Sequence, residues 1–118
     1  MKKVEAIIRP ERLDVVKGAL DSDGITSMTI SEVRGRGEQR GISLQYRGKA
    51  IRVDLLPKVK LEIVVEDAVL QRCIRTIAKI AWTGKPGDGK IFVMPVETCI
   101  KIRELGAPSD EEEAAVEA

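Results

Sequence analysis

The sequence predicts an α+β domain made of two β-α-β halves. A short alternating apolar run leads into a helical apolar stripe, the same pair recurs after residue 57, and a long polar connection separates the two. Residues 3–9 (Lys-Val-Glu-Ala-Ile-Ile-Arg) alternate as a strand. Pro10 follows, suited to the first turn of a helix, where the backbone N–H has no intrahelical acceptor in any case. Leu13, Val16 and Leu20 then share a helix face, and Asp21 to Gly24 stops the helix. Residues 25–33 alternate again, with Met28 and Ile30 on one side and Ile25, Thr29 and Val33 on the other. In the second half residues 58–66 form a strand, Asp67 is the expected N-cap, and Leu70, Cys73, Ile74, Ile77 and Ala81 make the stripe of a second helix. Residues 91–100 are the last strand, in which Pro95 points to a sheet edge or a bulge.

Two such halves imply a ferredoxin-like β-α-β-β-α-β sandwich with a long loop between strands 2 and 3. In that fold both helices cover one face of the sheet. The alternation leaves apolar residues on both faces, Ile7 opposite in sense to Val4, Ala6 and Ile8, and Val64 opposite to Leu61, Ile63 and Val65. A homo-oligomer that buries sheet against sheet is therefore expected, its number of subunits left open by the alternation. The loop, residues 35–56, is glycine-rich and basic without a sustained apolar period, and a connection of 22 residues inside a compact domain is usually functional or disordered.

Composition excludes several classes of function. Among 118 residues no apolar run reaches the ~18 that a membrane span needs, and a cytoplasmic protein is expected. There is no histidine, and Cys73 and Cys99 are far apart, so no spaced zinc motif and no histidine-based triad can form. Both cysteines are expected to be buried small hydrophobes. Five of the 19 acidic residues fall in 110–118, so residues 1–109 carry a net +6 although the chain carries +1. A basic body invites a nucleic-acid reading, but one Trp, one Tyr and one Phe are too few for a stacking platform, and no nucleic-acid partner is expected.

The segment Thr83-Gly-Lys-Pro-Gly-Asp-Gly-Lys90 sets three glycines and two lysines in eight residues. Backbone without Cβ atoms can approach an anion closely while the lysines neutralise it. Gly84-x-x-x-x-Gly89-Lys90 approaches a Walker A loop, yet Ile91 replaces the magnesium-binding hydroxyl residue and the loop runs from helix to strand, so a P-loop enzyme is rejected. A flexible glycine-rich turn explains the same residues equally well. A second glycine-rich turn, Gly35 to Gly41, follows a strand without dinucleotide-binding spacing. Thr29, Ser31 and Thr83 lack a base, so no nucleophilic pair presents itself.

Together, Ala6-Ile-Ile-Arg-Pro10, Glu32-Val-Arg-Gly-Arg-Gly37, Tyr46-Arg-Gly48, Val53-Asp-Leu-Leu-Pro-Lys-Val-Lys60, Thr83-Gly-Lys-x-Gly-Asp-Gly-Lys-Ile-Phe-Val93 and Pro95-Val-Glu97 resemble the nitrogen-regulatory PII signal-transduction family over nearly all of residues 1–105. The resemblance implies one domain over 1–105, with a regulatory loop at 35–56 and a phosphate-binding loop at 82–90; beyond it, the acid-rich composition of 106–118 reads as a flexible tail. It implies a homotrimer with ATP or ADP in the clefts between subunits. Gly87, Asp88, Gly89 and Lys90 would wrap the phosphates, with Lys101 and Arg103 reaching in from an adjacent subunit. Ile7, Thr29, Gly35 and Val64 would line the adenosine pocket, and Arg36, Gly37, Glu38, Gln39 and Lys58 would complete the nucleotide site. Mg2+ on ATP, held by Gln39, would help bind 2-oxoglutarate at Gln39, Gly41, Lys58 and Gly87. Tyr46, Arg47 and Gly48 at the loop tip would meet a partner, an ammonium transporter, glutamine synthetase or a nitrogenase-related protein. The family regulates rather than catalyses.

Some residues depart from the family pattern. Ile51 stands where uridylylated relatives carry tyrosine, and Lys49 where some relatives carry a phosphorylated serine, so neither modification is expected there. Glu38 occupies a commonly basic position, and Lys101 replaces a frequent arginine, keeping charge but losing bidentate geometry. Two other functions fit the same glycine-rich segment: a small ATP-hydrolysing or nucleotidyl-transferring enzyme, and a PII-like sensor of another small molecule.

Overall fold

A computed structural model of the chain describes residues 1–36, 42–46, 49–53 and 55–107, with the backbone alone for 42–46 and 49–53. The elements in chain order are β1 (Lys2–Ile8), a 3₁₀ turn (Pro10–Arg12), α1 (Leu13–Ser22), β2 (Thr29–Gly35), β3 (Ile42–Tyr46), β4 (Lys49–Val53), β5 (Leu56–Val65), α2 (Asp67–Ala81), β6 (Gly89–Pro95) and α3 (Ile102–Leu105). The main sheet has the order β2-β5-β1-β6, and every neighbouring pair is antiparallel. The two β-α-β halves are thus interleaved, as the ferredoxin-like arrangement requires.

The sheet pleat sorts the side chains. Val4, Ala6 and Ile8 of β1 stand opposite Ile63, Leu61 and Val59 of β5 and turn to the helices. Val16 and Leu20 of α1 and Cys73, Ile77 and Ala81 of α2 close over them, with Leu13, Leu70 and Ile91 packed at the margin. Fully burying a side chain the size of Leu61 or Ile77 contributes about 1.5–3 kcal/mol. The helices are also tied to each other by polar bonds. Arg12 donates from Nε and Nη2 to the Ile80 carbonyl at the end of α2, and Thr76 Oγ1 donates to Asp23 at the end of α1.

Several sequence expectations are corrected. Pro10 opens a 3₁₀ turn, and the α-helix proper begins at Leu13. Residues 25–28 are not strand, so their alternation does not apply. Ile25 is buried and Met28 packs against the same core, because the chain folds back with the Ile25 N–H donating to the Leu20 carbonyl. Asp67 is the first residue of α2 rather than its cap, which is Glu66 with extended backbone, and its carboxylate pairs with the Met1 amino group at 3.3 Å. The last strand ends at Pro95 on the sheet edge. Within 35–56 the chain forms an antiparallel hairpin, β3 with β4, in which Ile42 stands opposite Val53 and Leu44 opposite Ile51. Cys73 is buried as expected, but Cys99 is exposed.

The helix-free face is more polar than the alternation suggested. Its centre is a lattice of charges, with Lys3 to Glu62 at 3.4 Å, Lys60 to Glu5 at 3.4 Å and Lys60 to Glu62 at 3.7 Å. The apolar share lies around that lattice, at Ile7, Val64 and Phe92. Among the described residues no helix is long and apolar enough to cross a membrane.

Candidate functional site

The loop from Trp82 to Asp88 begins where α2 ends and returns the chain to β6. Trp82 leaves the helix with extended backbone and an exposed ring. Gly84, Gly87 and Gly89 all take positive φ, at 84°, 97° and 111°. A β-carbon on Gly89 would lie 1.7 Å from the Ile7 carbonyl oxygen, so the close passage of β6 beside β1 requires glycine there.

Asp88 organises the turn. Its Oδ2 accepts from the backbone N–H of Thr83 at 2.8 Å and of Gly84 at 3.0 Å, and its Oδ1 accepts from Thr83 Oγ1 and from Arg9 Nε at 3.0 Å. Thr83 Oγ1 in turn accepts from the Lys85 N–H at 3.2 Å. The Thr83 hydroxyl first, then the Thr83 amide, Arg9 and the Gly84 amide, hold the Asp88 carboxyl far below the usual carboxylate range, against partial burial that works the other way. The carboxylate is therefore engaged within the protein.

Two cations flank this turn. Arg9 Nη2 donates to the Pro86 carbonyl at 2.7 Å, and Lys58 Nζ donates to the Gly87 carbonyl. Burial lowers the Lys58 pKa, the Arg9 charge lowers it further, and Glu11 and Asp88 partly offset both. A cavity of about 470 Å³ opens beside Lys58, between Pro10, Glu32, Val33, Arg34, Pro57 and Val59. Among the described residues no buried side-chain polar atom is left without a partner.

The expected site residues lie in several separate places. Lys58, Gly87, Asp88 and Gly89 are brought together at one end of the sheet, and Lys90 stands opposite Ile7 in the ladder next to them. Gly35 ends β2 beside Lys58, whose Cγ would lie 3.7 Å from a β-carbon placed there, and Arg36 follows it, exposed. Ile7, Thr29 and Val64 share the helix-free face but are spread along it. Ile7 stands opposite Lys60 and Val64 opposite Lys3, four positions apart, or about 13 Å along the strand. Lys101 is exposed and pairs with Glu104 at 3.8 Å, and among the described residues no hydrogen bond joins it or Arg103 to the 83–89 loop. Tyr46 ends β3 opposite Lys49. Gly37, Glu38, Gln39, Gly41, Arg47 and Gly48 lie outside the described residues, as does the tail from 108. Arg9 and Thr83 hold Asp88, although neither was among the expected site residues; Thr83 had been weighed only as a nucleophile, and the signal for Arg9 was its place before Pro10 at the end of a strand.

The comparisons agree over most of the chain. The family described as "Nitrogen regulatory protein P-II" matches residues 1–105. The chain is 56% identical over 103 residues to "Nitrogen regulatory protein P-II" of Pasteurella multocida, covering 87% of this chain and 92% of that protein. It is 53% identical over 103 residues to "Nitrogen regulatory protein P-II 2" of Methanothermobacter thermautotrophicus, covering 87% and 90%. With "Nitrogen regulatory protein P-II 1" of Escherichia coli K12 it shares 51% identity over 116 residues, 98% of this chain and all of the relative. The glycine-rich turn folded around Asp88 is thus carried on an interleaved four-stranded sheet whose sequence matches one regulatory family from end to end of the domain, and the chain belongs to the nitrogen regulatory protein P-II family.

Proposed function

We propose that this chain is a non-enzymatic sensor that binds ATP and ADP, and 2-oxoglutarate together with Mg-ATP, and regulates nitrogen-assimilation partners through residues 35–56. The observation that carries this is the 83–89 turn. Gly87 keeps the turn free of a side chain beside the Lys58 ammonium, with Lys90 next in the ladder, so positive charge lies against backbone that phosphate oxygens can approach closely. Lys58 at Gly87 is also suited to a carboxylate of 2-oxoglutarate. Mg2+ would be held by ATP and Gln39, the latter outside the described residues.

The spread of Ile7, Thr29 and Val64, and the lack among the described residues of a hydrogen bond from Lys101 or Arg103 to the 83–89 loop, fit a site completed by other subunits, as in a homotrimer. Each ligand set would favour one arrangement of residues 35–56, and partners such as an ammonium transporter, glutamine synthetase or a nitrogenase-related protein would bind some arrangements only. Moving such an equilibrium from 1:99 to 99:1 takes about 5.5 kcal/mol of differential binding.

Isothermal titration with ATP, ADP, and Mg-ATP plus 2-oxoglutarate tests the proposal. Both nucleotides bind, 2-oxoglutarate adds heat only with Mg-ATP, and Lys90→Ala weakens ATP about tenfold, the loss of one charge-assisted contact. Unchanged ATP affinity in Lys90→Ala would remove the loop from the site, and steady ATP turnover would favour an enzyme.

A further inference from the structure

Arg9 sits just past the end of β1, immediately before the 3₁₀ turn, yet its guanidinium reaches a loop 79 residues further along the chain. Nε donates to Asp88 Oδ1 at 3.0 Å and Nη2 to the Pro86 carbonyl at 2.7 Å. A β-carbon on Gly87 would lie 3.4 Å from Arg9 Nη2 and 3.5 Å from Lys58 Nζ, so the two cations bracket the turn. The remaining bonds of Asp88 come from Thr83 and Gly84, within the loop itself. Among the described residues the hydrogen bonds that fasten 83–88 to the sheet are those from Arg9 and Lys58.

We propose that Arg9 is the positioning residue of the 83–89 loop: by gripping Asp88 and Pro86 at once it fastens the loop to the end of β1 and presets the backbone that receives the phosphates. The effect on ligand affinity rests on the nucleotide reading above, whereas the fastening itself does not. A planar fork can meet a carboxylate and a carbonyl in two directions at fixed separation. A lysine ammonium keeps the charge but not that geometry. The side chains of Arg9 and Asp88 are 22% and 23% exposed, so the bond is partly shielded from solvent and is worth more than a surface pair.

The test uses the full chain, reading amide exchange by NMR without nucleotide and ATP affinity by calorimetry, in Arg9→Ala and Arg9→Lys. Arg9→Ala speeds exchange of the Thr83 and Gly84 amides about tenfold and weakens ATP by a similar factor, while the amides of Val4 and Ala6 keep their protection. Arg9→Lys falls between the two, and it is the variant to read if Arg9→Ala also loosens β1. Unchanged exchange at Thr83 and Gly84 overturns the proposal, as does faster exchange with full ATP affinity. It also falls if Arg9→Lys restores affinity while exchange stays as fast as in Arg9→Ala, because charge alone would then explain the loss. Should the unaltered chain bind no ATP, the nucleotide reading fails, and exchange by itself still decides whether Arg9 fastens the loop.

Discussion

Two glycines show how one atom is tolerated or forbidden by its surroundings. At Gly89 a β-carbon would lie 1.7 Å from the Ile7 carbonyl oxygen on a backbone at φ 111°, so it meets backbone that cannot swing aside. Gly18, within α1, has nothing within 4 Å of the same position. Gly89→Ala should therefore destabilise the protein by at least about 2 kcal/mol, and Gly18→Ala should stabilise it by about 0.5–1 kcal/mol through helix propensity. Urea unfolding of the two variants checks both, and equal effects would mean that β6 can move away from β1. Asp88 illustrates a different limit. The family resemblance assigned it to the phosphates, but the direction of its carboxylate depends on Thr83 behind it and on Arg9 from the other half of the chain.

At the level of elements, the loop behaves as a small folded unit held by one ionised group. The unfolded Asp88 carboxyl titrates near 3.9, and the folded one lies well below. Its stabilising contribution is thus fully present above about pH 5 and is lost as pH falls through 3.9 toward the folded value. Asp88→Asn should lower the unfolding free energy by about 1–3 kcal/mol near neutrality, and the gap to the unaltered chain should narrow in urea titrations below about pH 4. A gap that stays constant to pH 3 would show that ionisation of Asp88 does not hold the loop. The helices were legible from their apolar period, because Val16, Leu20, Cys73, Ile77 and Ala81 each pack on the sheet. The β3–β4 hairpin was not: residues 42–46 (Ile-Ser-Leu-Gln-Tyr) do alternate, but the run is short and sits in a glycine-rich, basic stretch that reads as a loop.

On the scale of the whole molecule, the charges at the centre of the helix-free face are paired, yet Val64 is 42% and Phe92 46% exposed, and the C-terminal segment exposes Ile100, Ile102 and Leu105. Apolar groups set around a neutralised lattice suit contact with further copies of the chain. Sedimentation should give three times the 13.0 kDa chain mass. Phe92→Glu, which places a second carboxylate opposite Glu5 in the ladder, should shift the assembly toward smaller species while leaving the helix-side core folded. A single-chain mass for the unaltered protein would rule out the trimer, and an unshifted Phe92→Glu would take this face out of the contact.

The sequence by itself determined the α+β class, the two halves, both long helices and the family, because these follow from local period and from motifs read along the chain. Only the tertiary structure decided that Arg9 meets Asp88, that Ile25 enters the core from a loop, and that Gly89 must pass against Ile7. Those facts depend on which strands become neighbours, and the order β2-β5-β1-β6 joins residues from opposite halves of the chain. Periodicity along one segment records which face is buried, but not which distant atom will lie against it.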